Sequence, residues 1–400
     1  MKPFSLKDWS DEDLRDPFPV FARYLAAGPV QFADGTCYVF GHDAAVETLT
    51  SAAFGRRSPS GGGSPVSMPS ALRTLVENWL VFLDPPRHTE LRSVLNKEFS
   101  PAVVTNLRPR IAEIAGTLLT DLPVTFDLVE RFSAPLPILV ISELLGVPRE
   151  DSGWLRDQAV DLQEASSVRA AANPDAHAIA DRAARELRDY FLALMQRRRS
   201  DPDSDLVSLM VSAQTRGEPL SSDEIVGTCV HLMTAGHETT TNVLSKSVLA
   251  LASRPEARAE LRQGVTPAAV EELVRFDPPV QAVGRWAHQD AVIAGVEIPS
   301  GTRVMVMLGA ANRDPARFTA PDSLDLHRAG GRNTGFGLGI HYCLGATLAR
   351  AELEIGLGLL LDALGEYAVD SVKFPHDIVF HGPHSVVVTR GQGLCRSPGR

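Results

Sequence analysis

Apolar residues recur every three to four positions along most of this chain, and that period predicts helices. The spacing gives helices at about 69–79, 88–99, 101–119, 133–145 and 176–199, then a long one over 222–251. Asp223 and Glu224 fall in the first turn of the long helix, where acids suit the positive end of the dipole, and Arg254-Pro255 closes it. Strand-type patterning is confined to short pieces. Residues 29–32 and 37–40 flank the turn Asp34-Gly35 and predict a hairpin; further signals lie at 291–306, with Gly295 and Ser300-Gly301 as turns, and near 378–389. The predicted class is mainly α with small β-sheets. Residues 56–67, RRSPSGGGSPVS, follow neither period and predict a loop long enough to be functional rather than a plain connector.

With 44% hydrophobic and 22% charged residues in 400, the chain can bury a large core, and no linker-like stretch divides it, so one domain over 1–400 is expected. A net charge of −10 argues against nucleic acid as a partner. The first twenty residues carry acids and prolines where a signal peptide or anchor needs an unbroken apolar run. The apolar stretch 134–147 contains Pro135, Pro137 and Glu143 and is too short to span a bilayer, so it reads as a buried helix. A cytoplasmic protein with no membrane partner is the expectation. Cys37, Cys229 and Cys395 stand far apart and suggest no disulfide framework.

The densest chemistry is at 336–350, FGLGIHYCLGATLAR, where Cys343 sits in a glycine-rich loop running into an apolar helix. Gly337, Gly339 and Gly345 allow unusual backbone conformations and close approach to a flat ligand. The start of a helix should favour the thiolate of Cys343 and lower its pKa, which makes it a metal ligand. His341 and Cys343 could also bind zinc, but structural zinc takes four ligands in paired spacings, and no CxxC or HxxxH pair occurs.

Six residues, Phe336, Gly337, Gly339, His341, Cys343 and Gly345, match the haem-binding signature of the cytochrome P450 family, and Leu348 to Arg350 extend the likeness to its soluble bacterial members. Residues 234–241, TAGHETTT, resemble the family's Ala-Gly-x-Asp/Glu-Thr segment, and Glu272 with Arg275 resemble its Glu-x-x-Arg pair. The resemblance implies a single-domain P450 fold with Cys343 as axial ligand of haem b, and Phe336, Gly337, His341 and Gly345 around it. His88, Arg92, Arg285 and His341 would meet the haem propionates. Thr239 would hold an ordered water and Glu238 would reload its proton, while Ala235 would contact both haem and substrate, and Gln281 and Val283 substrate. The loop 56–67 would cover the substrate pocket. The family's third triad arginine has no match at Ser323, and Arg313 stands in for it.

Thiolate ligation favours O–O cleavage, so the implied activity is insertion of one oxygen atom from O2 into a small organic substrate, such as a secondary metabolite. Because the chain ends soon after the haem region, ferredoxin and ferredoxin reductase are the implied electron donors. Arg92, Lys97, Arg108, Arg110 and Arg350 are candidate docking contacts, and a monomer is expected. A peroxygenase, an oxidative coupling enzyme and a non-catalytic haem sensor are the alternatives. Helical geometry adds His231, which lies with Ala235 on the face of Thr239, His231 eight and Ala235 four residues before it. A substrate contact there would make affinity change with pH near 6.5.

Overall fold

The computed structural model describes residues 2–391 apart from 8, 60–68, 166–169, 171–172, 219 and 330. The expected access loop at 56–67 lies for the most part outside the described residues. Helices dominate. Pro101–Leu118, Pro135–Leu145, Ser152–Gln163, Ala176–Ser200, Leu206–Thr215, Ser222–Ala252 and Ala346–Leu364 share one continuous apolar core.

Ser222–Ala252 runs through the middle of that core. It starts at a capping box: the Ser221 hydroxyl accepts the N–H of Glu224 (3.2 Å), and the Glu224 carboxylate accepts the N–H of Ser221 (2.8 Å). The helix is buried on most sides, and Ala235 is its one exposed residue. Pro135 opens its helix, where a missing N–H costs nothing, directly after a π turn at Val129–Ser133.

A five-stranded sheet flanks the helices in the order Val30–Ala33, Thr36–Val39, Arg303–Val306, Val283–Ala287, Phe54–Gly55. The predicted hairpin is present. Asp34 (φ 49°) and Gly35 (φ 74°) take the left-handed conformations that a two-residue turn needs, and Ala33 pairs with Thr36. The 291–306 signal splits: Ala291–Ile293 and Val296–Ile298 form their own hairpin, while Arg303–Val306 joins the larger sheet between two distant segments. Of 378–389, the strand is Ser385–Arg390, between Thr125–Asp127 and Tyr367–Lys373. Among the described residues no helix is long and apolar enough to cross a membrane.

Candidate active site

Cys343 lies between a short turn at Gly339–His341 and the helix Ala346–Leu364. Gly337 and Gly339 both sit at φ 69°, and a Cβ on Gly339 would stand 2.3 Å from the Leu49 carbonyl oxygen, so the loop is pressed onto the helix His42–Thr50. Gly345 differs: its φ of −84° suits any residue, so the backbone does not require glycine there. Arg92 donates to the carbonyls of Ile340 (3.0 Å) and Tyr342 (2.5 Å), and the Cys343 N–H bonds to Phe336 (2.8 Å). Arg350 lies over the Phe336 ring at 4.3 Å and donates to Glu271 (2.5 Å) and to the Tyr342 hydroxyl (3.0 Å).

The expected drop in the Cys343 pKa is not found. Burial raises it, outweighing the Gly345 N–H and the charges of Arg92 and Arg350. The physical reason is burial: the Gly345 N–H at the helix start does favour the thiolate, but the buried sulfur loses more by leaving water. A coordinated metal cation, rather than the helix, would then hold Cys343 as thiolate. Four of the five docking candidates also bond within the fold. Arg92 bonds to the loop, Arg350 to Glu271 and the Tyr342 hydroxyl, Arg108 pairs with Glu354 (2.8 Å), and Arg110 pairs with Glu113 and Glu143. Lys97 is exposed.

A cationic cradle stands beside the loop. The His88 and His341 rings are 4.3 Å apart; both nitrogens of His88 and Nε2 of His341 are buried with no hydrogen-bond partner among the described residues. Arg285 donates to the Gly284 carbonyl (2.9 Å), and so does Arg56, whose role the sequence did not disclose. Burial lowers Arg285 to about 10; burial and then Arg285 lower Arg56 to about 9, with Asp84 opposing. Burial first, then Arg285, His88, Arg56 and Arg92, lower His341 to about 2. Unmet donors and crowded guanidinium groups with one carboxylate fit a dianionic flat cofactor such as haem. Among the described residues no three His, Cys, Asp or Glu side chains gather as a metal cluster would need.

On the central helix, Ala235 and Gly236 give room at the turn that carries Glu238 and Thr239. The Thr239 hydroxyl donates to the Ala235 carbonyl at 2.7 Å, and both Glu238 and Thr239 are partly exposed. Behind them Glu352 is buried beside the Thr240 hydroxyl, and burial raises its pKa to about 8. His231 stacks on Trp79 at 5.3 Å and 21°. Burial, then Arg56, lowers His231 to about 4, which corrects the titration expected near 6.5. Trp79 escaped sequence reading because it stood at the end of a predicted helix with no motif around it.

Gln281 is not placed for substrate. It is fully buried, its amide donates to Asp277 (3.1 Å) and Pro278 (2.8 Å), and it fills the space beside Gly309. Val283 is partly exposed in the five-stranded sheet. Glu272 and Arg275 form a bidentate buried pair at 2.7 and 2.9 Å. The third arginine is Arg328, 3.0 Å from Glu272, and not Arg313, which bonds Phe276 and Asp322 instead. Both Arg275 and Arg328 donate to the Ser323 carbonyl, so the backbone serves where the family's arginine was sought.

A buried cysteine loop beside a cationic cradle, with a buried helix exposed only at Ala235, fits a haem-thiolate enzyme. The cytochrome P450 family profile matches residues 168–365. Cytochrome P450 CYP107DY1 of Priestia megaterium is 41% identical over 286 residues, covering 70% of this chain and 68% of that protein. Polyketide biosynthesis cytochrome P450 PksS of Bacillus subtilis is 35% identical over 326 residues, 78% of each chain. The crystal structure of P450BioI with an acyl carrier protein bearing hexadec-9Z-enoic acid superposes with a TM-score of 0.88 at 30% identity, covering 95% of this chain and 99% of that one. The chain belongs to the cytochrome P450 family and is a P450 monooxygenase.

Proposed function

We propose that the protein holds haem b through Cys343 and inserts one atom of O2 into a small secondary metabolite, drawing electrons from ferredoxin and its reductase. The polyketide relative supports the substrate class. His88, His341, Arg285 and Arg92 would hold the propionates. When bound, the haem supplies activation of O2, which the cysteine ligand directs toward O–O cleavage.

The observation that carries the reading is the pair Glu238–Thr239 beside Ala235, the one exposed residue of a buried helix. The Thr239 hydroxyl can leave the Ala235 carbonyl to hold a water, and Glu238 next to it can return the proton spent. The surrounding apolar helices bury most of the rest of the central helix, so water reaches that exchange only at this turn.

Thr239→Ala tests this with a surrogate ferredoxin system. NADPH oxidation should continue while product per NADPH falls several-fold and peroxide accumulates. Unchanged yield would overturn the proton-delivery role. Turnover of the native protein by peroxide alone would favour the peroxygenase, and NADPH oxidation absent with every donor would favour the haem sensor.

A further inference from the structure

Four side chains form a stack beside the Ala235 turn. The Arg56 guanidinium lies 5.1 Å from the Phe82 ring centre, Phe82 lies parallel to Trp79 at 5.9 Å and 8°, and Trp79 lies on His231. His231 is one helical turn before Ala235, so the end of the stack reaches the face that carries Thr239. Two near-parallel rings pack on the indole, which limits its orientation. Its edge is left unmet: Trp79 Nε1 and His231 Nδ1 are both buried with no hydrogen-bond partner among the described residues.

An indole N–H only donates, so whatever meets it must accept. A neutral imidazole adapts to the same partner by carrying its proton on Nδ1. Buried donors left unmet destabilise a fold, and a ligand oxygen that satisfies two of them gains affinity it would lack on an apolar wall.

Charge decides what kind of oxygen. Arg56, Arg92 and Arg285 bring three positive charges to this side of the site; Asp84 and the two propionates of haem bring three negative ones. Arg56 is moreover held by the carbonyls of Val81 (2.7 Å) and Gly284. A substrate carboxylate would be a buried charge without a counter-ion. We propose that Trp79 and His231 form a subsite for a neutral carbonyl oxygen of the substrate, a lactone, ketone or amide. The inference deepens the monooxygenase reading and rests on it.

The test is titration of the holoenzyme, followed by the shift of its haem absorption, with tridecan-2-one, tridecane and dodecanoate. The ketone should bind about tenfold tighter than the alkane, some 1.4 kcal/mol, and tighter than the carboxylate. Trp79→Phe keeps the stack but removes the donor, and His231→Phe does the same; each should cut the ketone's advantage to about twofold. Equal binding of ketone and alkane by the native enzyme overturns the subsite whether or not the variants fold. Preference for dodecanoate overturns its neutrality, and an advantage that survives both substitutions overturns the residues. Absence of the red-shifted carbon monoxide band from the native reduced protein would instead break the haem-thiolate reading.

Discussion

Two buried clusters of arginine frame the cysteine loop, one closed on itself and one not. In the first, Glu272 takes bonds from Arg275, Arg328 and the Asp325 N–H, and the guanidinium groups continue to the carbonyls of Asn312, Pro321, Thr319 and Ser323. In the second, Arg56, Arg285, His88 and His341 crowd together with Asp84 as the opposing carboxylate, and three imidazole nitrogens go unmet among the described residues. The difference separates a structural cluster from a binding one. A closed set stores its free energy in the fold, whereas an open set weakens the fold until an anion arrives.

The comparison breaks most visibly at Glu272. Glu272→Ala strands two buried guanidinium groups and should cost about 3–5 kcal/mol, read as a lower denaturant midpoint; a loss below about 1 kcal/mol would show the cluster is not structural. Next is the identity of the third arginine. A double-mutant cycle should give Glu272 and Arg328 a coupling of about 1–3 kcal/mol and Glu272 and Arg313 almost none, and the reverse order would restore Arg313.

A smaller effect with the opposite sign is expected in the open cluster. Arg285→Leu should leave the melting temperature of the haem-free protein unchanged or higher, while haem dissociates about tenfold faster, roughly 1.4 kcal/mol. Destabilised haem-free protein would mean that this cluster is closed too.

The smallest effect is a slope with pH. Glu352 has a folded pKa of about 8, above its unfolded value, so the folded state binds the extra proton between about 4.5 and 8. Its contribution is present below about 4.5 and is lost as pH rises. Glu352→Gln should therefore match the native protein near pH 4.5 and become relatively more stable toward pH 8; parallel stability curves would show that Glu352 is ionised in the fold.

What the sequence discloses follows the distance over which each feature is decided. The Asp34-Gly35 hairpin, the acidic start of the central helix and the pair Glu272–Arg275 are set within a few residues, and each is found where it was predicted. Arg328 reaches Glu272 across 56 positions, and nothing local distinguishes it from Arg313. Gln281 sits one position from a partly exposed neighbour on a strand-like segment, where a single step turns a side chain to the opposite side. The Cys343 pKa fails for a related reason: burial belongs to the whole molecule, while a helix start is visible in ten residues.

The cap at Ser221 has a consequence for how this chain tolerates insertion. Ser221 and Thr239 are 18 positions apart, about five complete turns, so the capped end and the hydroxyl lie in phase along one line. Arg87 bonds Glu224 of that cap from the helix that also carries His88 and Arg92. The angular setting of Thr239 is thereby tied to the frame that holds the cysteine loop. One residue added between Glu224 and Ala235 would swing the hydroxyl by about 100° and advance it about 1.5 Å, pointing it into packed core. The stretch between cap and catalytic turn acts as a ruler of fixed length, along which residues can be exchanged but not counted differently.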